Sequence, residues 1–146
     1  MTIKNTKRQQ KYPNTATFKY ENRNPKGRVG TGDCVYRAIS SALGKDWCEV
    51  ARELAELACE TAYCPNGTSN YDIYLERNGF KKHPQPRHED RTKYTLKEFC
   101  EEHKRGVFVV NMPHHLTVVK AGKCHDTWDC SKCDSRVGNY WQKGTL

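Results

Sequence analysis

With 146 residues, 36% of them hydrophobic and 29% charged, the chain has the length of one domain and the composition of a soluble globular protein, which argues against a disordered or membrane-embedded one. No apolar run approaches the roughly 18 to 20 residues that span a bilayer; the basic opening MTIKNTKRQQ has no apolar stretch behind it, so no secretory leader is expected and a cytoplasmic location is. The formal net charge of +8, from 25 Lys and Arg against 17 Asp and Glu, permits attraction to acidic partners without deciding a fold.

Residues 1–21 read as a basic N-terminal arm and 22–146 as a single domain. Lys4, Lys7, Arg8, Lys11 and Lys19, followed by Arg23, Lys26 and Arg28, carry much of the surplus charge. This arm is the one route to nucleic acid that the sequence offers, by charge alone, because no base-reading motif accompanies it; a solvated tail is the plainer reading. The approach to residue 32 is irregular, with one short strand expected near 16–20. Val35, Ala38, Ile39 and Ala42, spaced three and four apart, predict a helix over 34–43 that Gly44 ends. A second helix opens with Asp46 as N-cap and Glu49 three residues on, and its inward face carries Trp47, Val50, Ala51, Leu54, Leu57 and Ala58. Pro65 and Gly67 make 63–69 a loop, and a short helix over 71–78 stops at Gly79; Tyr63 to Tyr74, with Asn70, is a candidate edge of a substrate cleft. The stretch 81–93, with Pro84, Pro86 and many charges, reads as a surface connection. Thr95 and Glu98 then start a fourth helix bearing Leu96 and Phe99. After Gly106 the pattern changes, and strands are expected over 107–111, 116–120, 123–128 and 137–141. Helices first and strands afterwards predict an α+β architecture, with N-terminal helices packed on a small C-terminal antiparallel sheet.

In a reducing compartment the eight cysteines stay as thiols, free for metals or catalysis. Cys34 stands in the first turn of a helix, behind Gly32 and Asp33. Unpaired N–H groups and the positive end of the helix dipole favour its thiolate there. The same N–H groups suit an oxyanion, and Arg37 one turn on adds positive field. Far downstream, Ala121-Gly122 offers a two-residue hairpin that pairs Lys120 with Lys123 and sets Thr117 opposite Asp126. Strand parity then puts His115, Thr117, Val119, Cys124, Asp126 and Trp128 on one face. A thiol needs a base, and the base needs a carboxylate on its other ring nitrogen, so Cys34, His115 and Asp126 are the expected catalytic residues. Asp129 ranks second as orienting group; His114 and His125 point away. Trp128 is expected to face the core.

The segment Asp33-Cys34-Val35-Tyr36-Arg37-Ala38 is similar to the nucleophile helix of the ovarian-tumour type deubiquitinases. The short hairpin from His115 to Asp126 resembles the NlpC/P60 group of cell-wall peptidases. The closing part, from His115 through Asp126-Thr127-Trp128-Asp129 to Tyr140-Trp141, resembles small proteins of bacteria and their phages. Over about residues 22 to 141 the chain thus resembles the papain-like cysteine peptidase superfamily. That resemblance implies a papain-like fold, a peptide, isopeptide or protein substrate, no cofactor, and a bacterial host cytoplasm if the protein is phage-encoded. Many such enzymes carry a Gln several residues before the nucleophile; here Arg28-Val29-Gly30-Thr31-Gly32-Asp33 holds none. Asn22 or Asn24, or the Cys34 backbone N–H alone, would then serve, with Asn24, Asp33 and Arg37 as candidate oxyanion- or substrate-binding residues. Three alternatives stay open. Cys130 and Cys133 have the two-residue gap of a zinc ligand pair, with Cys100 and His103, or Cys124, to complete a structural site. A non-catalytic interaction protein would reuse the same fold. An amine in place of water would make the enzyme an acyltransferase.

Overall fold

A computed structural model describes residues 6–144, so Lys4 of the basic arm lies outside the described residues. Five helices and six strands follow in the order α1 (Thr6–Lys11), β1 (Phe18–Tyr20), α2 (Cys34–Leu43), α3 (Trp47–Thr61), α4 (Thr68–Arg77), β2 (Phe80–His83), α5 (Leu96–Glu102), β3 (Val107–Met112), β4 (His115–Lys120), β5 (Lys123–Asp126) and β6 (Tyr140–Lys143), with a 3-10 turn at Cys130–Lys132. The architecture is α+β, as the order of patterns predicts.

Helix α2 has the expected limits. Val35, Ala38, Ile39 and Ala42 face inward, and Gly44, at φ 66°, turns its N–H back onto the Ser40 carbonyl. Helix α3 buries Val50, Leu54 and Leu57, while Trp47, Ala51 and Ala58 are only partly covered. Its N-cap residue is Asp46, but that side chain accepts no cap hydrogen bond, so the expected capping box is absent there. Thr95 and Glu98 do form one at α5. Helix α4 starts at Thr68, three residues before the expected 71, because the Gly67 carbonyl accepts the N–H groups of Asn70 and Tyr71.

The sheet has the order β1-β5-β4-β3-β6-β2. Every neighbouring pair is antiparallel except β1 with β5, which makes the sheet mixed, not purely antiparallel. β1 also moves the expected boundary at residue 21 into the folded body: Phe18 is fully buried, and Tyr20 stands beside Asp126 in the parallel register. β2 occupies part of the stretch expected as a surface connection and pairs with β6; Phe80 alone of its residues is buried, so no alternation announces it. β5 stops at Asp126, two residues short of the expected end. β6 starts late, because the N–H groups of Val137 and Gly138 bond to Tyr94 and Asn111 instead.

Strand parity divides the interior. Val109, Leu116, Val118 and Trp141 pack with α2, α3 and α4. Phe108, Val110, Val119 and Cys124 pack with Phe18, Leu96 and Phe99 on the other side. Helices therefore cover both faces of the sheet, and no helix among the described residues is long and apolar enough to cross a membrane.

Candidate active site

The first intrahelical bond of α2 runs from the Arg37 N–H to the Asp33 carbonyl, at 3.0 Å. The N–H groups of Cys34, Val35 and Tyr36 therefore have no acceptor within the helix, and Asp33 supplies no side-chain cap. Gly32, at φ 74°, allows the tight entry. The half-buried Cys34 thiol meets the His115 ring and a backbone hydrogen bond from Leu116. Burial alone would push the thiol up. The bonds to His115 and Leu116, with the charges of His115 and Arg37, outweigh it and bring the thiol below its ordinary 9.0.

His115 opens β4, and its Nε2 lies 2.7 Å from Asp126 Oδ2. That leaves Nδ1 as the ring nitrogen free for the thiol. Burial would depress the imidazole, but the hydrogen bonds to Asp126 and Cys34 and the charges of both raise it to about 10. Trp128, half-buried, packs against the core cluster of Phe18, Leu96 and Phe99 as expected and also against the His115 ring, with centroids 5.2 Å apart.

Asp126 is 3% exposed. Its Oδ2 accepts from His115 and from Thr117 Oγ1, and its Oδ1 from Arg37 Nη1 and the Thr127 N–H, each at 2.7 Å. Burial opposes ionisation, yet these donors and the charges of His115 and Arg37 hold the carboxyl well below its ordinary 3.8. Thr117 was visible in the sequence as a same-face neighbour of Asp126; Arg37 as a partner of that carboxylate was not, because the contact spans 89 positions.

Cys34, His115 and Asp126 are thus brought together. Asn24, Asp33 and Arg37 are held differently from the oxyanion role expected of them. Arg37 bridges Asp126 and Asp33, with Nε 2.9 Å from Asp33 Oδ1. Asn24 Nδ2 and Trp47 Nε1 both donate to Asp33 Oδ2, and Asn24 Oδ1 accepts the N–H groups of Lys26 and Arg28. Asn22 is engaged as well, by the Asn24 N–H and the Arg28 carbonyl. These residues form a buried polar frame behind the carboxylate, and their hydrogen-bonding groups are used within it. Asp129 accepts from the N–H and Oγ of Ser131 and caps the 3-10 turn. His125 stands 3.7 Å from Glu21, away from the site.

Of the zinc ligands expected from the sequence, Cys124 neighbours both Cys100 and Cys130, but Cys133 and His103 are bonded to backbone carbonyls. Cys133 donates to the Cys130 carbonyl, and His103 bonds the Phe99 carbonyl while stacking on the Phe99 ring. Burial pushes the Cys100 thiol up to about 12. Among the described residues the gathered set of metal-capable groups is His115, Asp126 and Cys130, mutually within 4.8 Å. It suits a cation poorly. Arg37 already places a positive charge on Asp126, and burial keeps the Cys130 thiol protonated, far above 9.0, so that it donates to Asp126. The same protonation disqualifies Cys130 as a nucleophile.

A cleft of about 340 Å³ opens over the sulfur, lined by Gly32, Cys34, Thr68, Tyr71, His114 and His115. His114, at φ 56° in the β3–β4 turn, is exposed at its rim. The arrangement holds a thiol, an imidazole and a buried carboxylate at an open cleft, beside helix N–H groups with no acceptor inside the helix. No family model, curated protein or solved structure matches this chain.

Proposed function

We propose that the protein is a small papain-like thiol hydrolase that cleaves a peptide, isopeptide or related amide through an acyl-enzyme on Cys34. The observation that carries this reading is the His115 ring, bonded through Nε2 to Asp126 Oδ2 at 2.7 Å, beside the Cys34 thiol at the head of α2, with both residues lining one cleft. With the Cys34 thiol lowered and the His115 imidazole raised, the environment favours the thiolate–imidazolium pair. The thiolate attacks the carbonyl carbon. His115 Nδ1–H gives its proton to the departing amine, and a thioester remains. Neutral His115 next takes a proton from water, which displaces the sulfur and releases the acid; an amine in that step gives acyl transfer instead.

The oxyanion has two candidate donors. One is the Cys34 backbone N–H. The other is the Tyr71 hydroxyl on α4, across the cleft. Tyr71 is 4% exposed and fixed edge-on against Trp141, with centroids 5.4 Å apart. Its oxygen accepts from Thr68 Oγ1 at 3.4 Å, which leaves its own hydrogen to donate. Tyr71→Phe should lower kcat roughly tenfold to a hundredfold with KM little changed.

Iodoacetamide labelling at neutral pH, followed by peptide mapping, tests the reading. Cys34 should react first among the eight thiols, and His115→Ala should slow it by roughly tenfold or more. Uniform slow labelling, indifferent to His115→Ala, would leave a binding protein that reuses the fold.

A further inference from the structure

The cleft over Cys34 does not end at His114. A second hollow of about 530 Å³ lies on the far side of the β3–β4 turn, and the two share Asn111, Met112 and His114 as common wall. The further hollow carries Lys93, Arg136 and Asp134. Lys93 and Arg136 come from separate segments, joined through bridges of Arg87 with Lys93 and of Thr95 with Arg136. Both are exposed, and neither makes an ion pair among the described residues. Neighbouring carboxylates are engaged elsewhere: Glu98 by His88 and Thr95, and Asp90 by Thr92. Asp134 offsets one of the two cations, which leaves the hollow net positive.

We propose that the two hollows form one substrate groove and that the hollow beyond His114 selects an acidic residue of the bound polypeptide, a few positions from the carbonyl that Cys34 attacks. This rests on the hydrolase reading and adds the substrate class. An extended chain advances about 3.3 Å per residue, so a segment of a few residues passes from the sulfur over the turn. Lys93 and Arg136 there meet a carboxylate without first breaking an internal pair. A basic residue meets two like charges. Asp134 weakens the preference and so tunes it.

The test uses matched peptides with a chloroacetyl group on a mid-chain diaminopropionate, so that both flanks can enter the groove. Glu, Gln or Lys is scanned through the flanking positions, and intact mass follows alkylation of Cys34. In the parent protein, Glu on one flank should label faster than Lys by about fivefold, a ratio that shrinks with added salt. Lys93→Glu with Arg136→Glu should invert that ratio, and Asp134→Asn should enlarge it. Equal rates for Glu, Gln and Lys at every position, or a Glu preference that survives the double charge reversal, overturns the proposal. Loss of the hydrolase reading has a different signature: Cys34 slow even to iodoacetamide and unaffected by His115→Ala.

Discussion

At the residue scale, the opposed displacements of Cys34 and His115 fix a pH signature. Hydrolysis needs thiolate and imidazolium together. Its kcat/KM should therefore rise as the thiol ionises below 9.0 and fall as His115 deprotonates near 10. Alkylation needs only the thiolate and should not fall on the alkaline side. Running both profiles on one preparation separates a catalytic pair from an isolated reactive thiol. Asp126→Asn should cut kcat roughly a hundredfold, because the imidazolium loses its partner and the ring its orientation. It should also cost about 3 kcal/mol of stability by urea unfolding, since the part-buried Arg37 keeps Asp33 as its one ionic partner, beside a long 3.4 Å bond to Thr127 Oγ1. A rate loss without a stability loss would mean that Arg37 finds another partner.

At the element scale, caps and strands give contrasting expectations. Thr95→Ala removes a formed capping box and should cost about 1 kcal/mol, whereas Asp46→Ala, at a cap that makes no side-chain bond, should cost a few tenths, roughly. Both are read as shifts in the urea midpoint. Phe18→Ala should cost about 3 to 4 kcal/mol, since a fully buried ring is lost from the core beneath β1. A mutation in a dispensable arm would cost nothing, so this substitution measures whether the fold begins before residue 21. Helices were legible because α2 and α5 repeat their apolar residues at helical spacing and carry their own stop and start signals. α1 and β2 were not, since the first has no apolar stripe and the second buries one residue of four. Their structure comes from the neighbours they meet.

At the scale of the whole molecule, stability should depend on pH from both sides. Burial would raise Glu21, but His125 close by, the hydrogen bond from Ser41 Oγ and the charge of Lys120 bring it from 4.5 to about 2. Its contribution, on the order of 2 kcal/mol after solvent screening, is complete above 4.5 and lost as pH falls toward 2. Asp126 acts in the same direction. His115 acts oppositely: its contribution is complete below 6.5 and lost as pH rises through about 10. Stability should be greatest between about 4.5 and 6.5, as read by urea midpoints across pH. Glu21→Gln should flatten the acid limb and leave the alkaline limb in place.

The sequence by itself determined the class of fold, the helix that begins at Cys34, and the parity that sets His115, Thr117 and Asp126 on one strand face. Those properties follow from local rules, the helical and strand periods and a two-residue turn, which act over a few positions. Tertiary structure decided the rest. It made β1 an edge strand, turned Asn24 and Asp33 into a frame for Arg37, placed Trp128 on the histidine, and brought Tyr71 to the cleft. Each of these depends on contacts between elements distant in the chain, and a side chain's partner across such a distance is chosen by packing, which no local pattern encodes.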